Sequence, residues 1–144
     1  MPHLHIRPVV ATDAAALAPL MGELGYPSTA EEIRERLTRN AQQQESEAWV
    51  AVHDGATVGF DAGLMVWSYV SNGASAQLTS LVVASGARGM GVGRQLVALF
   101  EEWARDRGAT RVVVTSALHR DDAHAFYPAI GYAETGKRFG RPLA

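Results

Sequence analysis

Residues 77–96 read QLTSLVVASGARGMGVGRQL, and the fold turns on them. Gln77 to Val83 suits a strand, and it runs without a pause into a segment that carries four of the chain's 14 glycines between Gly86 and Gly93. From Val92 the period changes. Val92, Leu96, Leu99, Phe100 and Trp103 recur at three- and four-residue steps while Arg94, Glu101, Glu102 and Arg105 take other faces, which predicts an amphipathic helix ended by Gly108. Arg111 to Thr115 contains three consecutive valines, the mark of a strand buried on both faces and paired in parallel across a helical crossover. A strand, glycine loop, helix, strand unit is thus written between Gln77 and Thr115, and the fold class is α/β.

Outward from this unit, Leu4 to Pro8 alternates as a short edge strand, and Thr12 or Asp13 caps a helix made bent or short by Pro19. Ser28 followed by Glu31 is a capping-box pattern that opens a second helix through about Arg39, with a solvated charged face. Asn40 to Glu47 reads as a loop. Trp49 to Val52 is a strand closed by Asp54-Gly55, a strong hairpin signal, and the next strand runs from about Thr57 toward Tyr69. Gly59 and Gly63 along it permit a bulge or a close backbone approach. Asp121 or Asp122 opens a last helix that Pro128 and Gly131 curtail, and Tyr132 to Thr135 is expected as a closing strand.

At 144 residues and 15.4 kDa, residues 1–144 read as one domain without linker or repeat. A formal net charge of −2 supplies no positive field for a nucleic acid. Zero cysteines exclude disulfides and thiolate metal sites, and no apolar run approaches the ~20 residues that span a bilayer, so the expectation is a soluble, cytoplasmic protein.

Glycines between a strand end and a helix start let backbone N–H groups converge on an anion at the positive end of the helix, and phosphate is the natural one. A Walker A loop requires a lysine and a hydroxyl residue after its second glycine, whereas Gly91 is followed by Val92 and Gly93. A Rossmann fingerprint belongs to the first strand-to-helix turn, and Gly89, Gly91 and Gly93 fall at alternate positions late in the chain. Instead, Arg88-Gly89-Met90-Gly91-Val92-Gly93 fits the order Arg or Gln, two residues, Gly, one residue, Gly or Ala. With the strand Leu81-Val82-Val83 before it and Arg94-Gln95-Leu96 after it, the segment resembles the pyrophosphate loop of the GCN5-related N-acetyltransferase (GNAT) superfamily. Ala123, Phe126, Tyr127, Ile130, Gly131 and Tyr132 are similar to that family's closing block, and Ile6-Arg7-Pro8 with Asp13 to its opening.

The resemblance implies a GNAT-like fold: a central, mostly antiparallel sheet with a parallel splayed strand pair, about 77–83 and 111–116, and flanking helices. It further implies acetyl-CoA as cosubstrate, no metal, and direct attack of a small-molecule or peptide amine on the thioester. Backbone N–H groups from Arg88 through Met90, Val92 and Gly93, with Arg94, would hold the pyrophosphate, and Leu81, Val82 and Val83 would pair with pantetheine amides. An N–H near Val82 would polarise the thioester carbonyl. Tyr127 matches the family's thiolate-protonating tyrosine, and a phenol of pKa ~10 can protonate a thiolate near ~8.5 when the two touch; the alternative is a ring that packs beside Phe126.

Many relatives place a glutamate on the strand before the loop, where this chain has Gln77, Thr79 and Ser80. The nearest carboxylates are Asp61 on the preceding strand and Glu23 beside Tyr26, each a base or an attractor for the acceptor's ammonium. A solvated strand position is the other reading of Asp61. Trp67 and Tyr69, with Thr79, are candidates for an acceptor pocket on the strands facing the thioester; a core or homodimer face accounts for the two aromatics equally well. His119 and His124 flank Arg120 and two aspartates, but acyl transfer needs no metal there, and Arg120 contacts cofactor phosphate or pairs with Asp121. The missing strand carboxylate keeps open a second function, an acyl-CoA-binding sensor or assembly module without turnover.

Overall fold

Asp54 and Gly55 turn the chain as expected: both adopt positive φ, 50° and 82°, the geometry of a primed two-residue hairpin. They join β2 (Ser46–His53) to β3 (Ala56–Trp67). The computed structural model describes residues 4–115 and 121–144, so the readings of His119, Arg120 and the strand end at Ser116 lie outside the described residues. β1 (Leu4–Pro8) pairs antiparallel with β2, and β4 (Ala74–Val83) pairs antiparallel with β3. β5 (Ala109–Val114) completes a five-stranded sheet of order β1-β2-β3-β4-β5 and runs parallel to β4, as the crossover through α3 (Val92–Asp106) requires. α1 (Ala14–Leu24), α2 (Ala30–Ala41) and α4 (Asp121–Ala129) complete the α/β fold.

The sheet is covered in layers. Ala14, Leu17 and Leu20 of α1 and Ile33 of α2 form a core with Val50, Phe60 and Val82. On β3 the residues alternating with Phe60 meet α3 instead. A Cβ at Gly59 would lie 2.9 Å from Val92 Cγ1, and one at Gly63 would collide with the Phe100 ring and the Gln77 carbonyl. The close approach read from these two glycines is therefore an approach by α3, whose Phe100 stacks on Trp103 at 5.5 Å and meets Trp49 edge-on at 6.2 Å. Bulges also occur: Val58 is the extra residue of β3 against β2, and Thr79 that of β4 against β3.

Several boundaries differ from the sequence reading. The capping box that forms is Thr29 with Glu32, one residue on from Ser28 and Glu31: Glu32 N–H donates to Thr29 Oγ1 at 3.1 Å and Thr29 N–H to Glu32 Oε1 at 2.9 Å. Ser28 Oγ is instead engaged with Tyr26 O and Arg36. α2 runs on to Ala41 and β2 begins at Ser46, shortening the expected loop. Asp13 does not cap α1 by side chain; its carboxylate takes the Arg7 guanidinium at 2.8 and 2.9 Å and the Val10 N–H at 2.8 Å, and the Arg7 bonds hold its pKa below the usual carboxylate range. Val112 to Val114 are half-buried, not buried on both faces, because β5 stands last in the strand order.

One compact unit runs to Val113 and a second from Val114 to Ala144. In the second, α4 ends where Gly131 takes φ 98° and Tyr132 N–H bonds back to Tyr127 O at 3.0 Å, a Schellman-type stop. The expected strand from Tyr132 to Thr135 is absent: residues 132–144 have no regular structure, since a strand exists only through a ladder partner and none is present among the described residues.

Candidate active site

The segment between β4 and α3 has the geometry of an anion cradle. It starts with a 3₁₀ turn, Ser85–Ala87, and ends at Gly91, the N-cap of α3. Gly89 and Gly91 take φ of 86° and 80°, values that side-chain-bearing residues rarely adopt, and a Cβ on either would point into open space. Gly91 offers no capping side chain, and the first turn of α3 carries no acidic residue. The N–H groups of Val92, Gly93 and Arg94, at the start of a 15-residue helix, thus have no capping partner among the described residues, and lie next to the exposed Arg88 and Arg94 side chains and exposed Met90.

Upstream, the β4 backbone decides which donors face away from β3. Ala84 N–H is taken by Val58 O at 2.8 Å, so by alternation Val82 N–H also points toward β3, opposite Phe60. Leu81 and Val83 direct theirs to the β5 side, which narrows the expectation of a donor near Val82 to its two neighbours. The bulged residue Thr79 is exposed and donates its hydroxyl to Ala62 O at 3.1 Å. A hydroxyl is what stands there, with no carboxylate on β4.

Asp61 departs most from its sequence reading. It shares the α3-facing side of β3 with Gly59 and Gly63, is 0% exposed, and neither carboxylate oxygen has a hydrogen-bond partner among the described residues. Burial without compensation pushes its pKa up to about 8. The solvated-strand reading is corrected by this burial. Packed against α3, Asp61 presents neither oxygen at the surface.

The other candidates separate in space. Glu23, in the last turn of α1, accepts the Ser85 N–H on Oε1 at 2.9 Å, so this carboxylate is tied to the entry of the glycine segment. Tyr26 follows the left-handed Gly25 cap and is 64% exposed. Trp67 closes β3 opposite Ala74, seven residues and therefore about 23 Å along the strand from Phe60. Trp67 Nε1 donates to Glu45 Oε1 at 3.0 Å, and Tyr69, beyond the strand, is fully exposed. The long β3–β4 ladder thus carries Trp67 to the end away from Phe60 and Val82. In the second unit the half-buried Tyr127 ring packs at 5.2 Å against Phe126 and at 5.8 Å against Tyr132.

This arrangement matches known proteins over most of its length. The model of the acetyltransferase (GNAT) family matches residues 17–132. The chain belongs to the GNAT family. It is 34% identical over 134 residues to an aminoglycoside N(6')-acetyltransferase type 1 of Stenotrophomonas maltophilia, across 90% of this chain and 86% of that protein. It is 30% identical over 124 residues to an aminoalkylphosphonate N-acetyltransferase of Salmonella typhimurium, across 86% and 78%. The crystal structure of an aminoglycoside N-acetyltransferase in complex with CoA superposes with a TM-score of 0.87 at 20% identity, covering 100% of this chain and 97% of that one, which shows the shared fold.

As a GNAT protein, the chain is an acetyl-CoA-dependent N-acetyltransferase. No described helix is long and apolar enough to cross a membrane. Sequence reasoning does not anticipate the bond at Ser85, whose N–H is held by a side chain 62 positions away; no local pattern encodes such a pair.

Proposed function

We propose that this GNAT enzyme binds acetyl-CoA with its pyrophosphate on the α3 N-terminus and the segment from Arg88 to Gly93, and transfers the acetyl group to a primary amine of a small, aminoglycoside-like molecule. The observation that carries the reading is the uncapped N-terminus of α3 behind two left-handed glycines, a set of fixed donors without a capping partner among the described residues. The relatives named for aminoglycoside and aminoalkylphosphonate acetylation, matched over most of their own lengths, support a small polar amine as acceptor.

In this reading the outward N–H groups of Leu81 and Val83 align the pantetheine as an added strand, and one of them meets the oxyanion that forms at the thioester carbonyl. The neutral amine attacks that carbon, the carbon–sulfur bond breaks, and the electron pair leaves on the CoA sulfur. Tyr127 donates the proton that the thiolate takes up. With Asp61 sealed in the core and no carboxylate on β4, the amine loses its own proton to solvent.

Gly91→Val tests the cradle. Valine at φ 80° is strained, and its side chain projects into the space that the pyrophosphate would occupy. Calorimetric titration with CoA is expected to show at least a tenfold loss of affinity in a variant that still melts cooperatively. Unchanged affinity would remove the cofactor from this loop.

A further inference from the structure

We propose that Glu23 is a positioning residue for the cofactor segment: its carboxylate fixes the peptide at Ser85, where the chain leaves β4 for the glycines. The proposal rests on the reading that this segment receives acetyl-CoA. Its geometry is specific. The two successive peptides at the end of β4 are held by two different elements, Ala84 N–H by Val58 O of β3 at 2.8 Å and Ser85 N–H by Glu23 Oε1 of α1 at 2.9 Å. Ala87 N–H closes the 3₁₀ turn on Ala84 O at 2.9 Å, and beyond it the main-chain bonds are long, with Arg88 N–H to Ser85 O at 3.5 Å and Met90 N–H to Ala87 O at 3.4 Å. Gly86, Gly89 and Gly91 have no side chains with which to anchor themselves, so the stretch is held at three points: the buried Ala87 within it, α3 at the exit and Glu23 at the entry.

The anchor is well founded although Glu23 itself is exposed. Leu17 and Leu20 lock α1 into the core, and Gly25, at φ 101°, ends the helix directly after Leu24. A carboxylate on a fixed helix end is a stronger acceptor for a backbone N–H than the water that would replace it, because the bond is charge-assisted. Ordering the entry before the ligand arrives lowers the conformational entropy that binding would otherwise have to remove. In this way a residue of α1 serves affinity for acetyl-CoA without touching it.

This role differs chemically from the attraction of an acceptor ammonium suggested by the sequence. Accepting one N–H requires an oxygen at the right place, and attracting an ammonium requires the charge. Glu23→Gln keeps the oxygen and loses the charge; Glu23→Ala loses both and leaves an exposed helix position that alanine fills well. The test measures the CoA dissociation constant by calorimetry, and KM for acetyl-CoA and for a primary-amine acceptor, in wild type, both variants and Gly91→Val. Glu23→Ala is expected to weaken CoA binding and raise the acetyl-CoA KM about tenfold with the amine KM unchanged, and Glu23→Gln to restore both within about twofold. If Glu23→Ala binds CoA like wild type while Gly91→Val does not, the positioning role alone is overturned. If neither variant weakens binding, the loop reading falls with it. If Glu23→Gln behaves like Glu23→Ala and the amine KM rises in both, the carboxylate's charge serves the acceptor and the proposal is wrong.

Discussion

Tyr127→Phe is expected to lower kcat about 10²-fold while leaving the dissociation constant of CoA unchanged. The ring contacts with Phe126 and Tyr132, at 5.2 and 5.8 Å, do not need the hydroxyl, so the phenylalanine retains the packing of α4 against its own C-terminal turn. What disappears is the proton donor. A CoA thiolate then departs as a free anion or waits for water, and the loss falls on the chemical step rather than on binding. Steady-state rates with a saturating amine, together with a direct titration with CoA, separate these quantities. Equal turnover in the two proteins would leave Tyr127 with packing alone.

Asp61→Asn is expected to stabilise the protein increasingly as pH rises from 5 to 8. The folded-state pKa of Asp61 is about 8 against an ordinary value of 3.8, so between these limits the unfolded chain has released a proton that the folded chain still holds. Stability from this group is therefore complete below 3.8 and is lost progressively until about 8, where the folded carboxyl ionises in turn. The slope is about 1.4 kcal/mol per pH unit, which accumulates to about 4 kcal/mol across three units. Asparagine stays neutral throughout, and subtracting the two proteins' profiles removes every other titrating group. Asp13 and Glu32, whose pKa values are lowered by the Arg7 bonds and by the Thr29 backbone bond, act below this window. Urea midpoints at each pH measure the difference; parallel profiles for the two proteins would mean that Asp61 is ionised and satisfied in the folded state.

The unit from β4 through α3 to β5 was legible because each of its signals is local: a period change at Val92, glycines at the junction, and Gly108 at the helix end, where it takes φ 91°. The left-handed turns of the glycine segment, at Gly89 and Gly91, were legible for the same reason. Asp61 was not, because glycines on both sides suggest an open strand, and only the tertiary structure shows that α3 occupies the space they leave. The separation of Trp67 from Phe60 and Val82 depends on how far the β3–β4 ladder extends, and strand length is weakly encoded when turn residues are spread over 68–73. The capping box formed at Thr29 and Glu32 where the sequence pointed to Ser28 and Glu31, and the helix it opens buries Ile33. The bond from Glu23 to Ser85 had no sequence signature at all, since its partners meet only after α1 has docked on the sheet.

The most direct test of the central claim is the release of free CoA thiol when the wild-type protein is mixed with acetyl-CoA and each member of a panel of primary amines: aminoglycosides, aminoalkylphosphonates, polyamines, amino acids and lysine peptides. Thiol release above the amine-free control is expected for small polar amines, with one acetylated amine formed per thiol. Tight binding of acetyl-CoA with no release above that control for any amine would contradict it, and would make the protein an acyl-CoA-binding module without turnover.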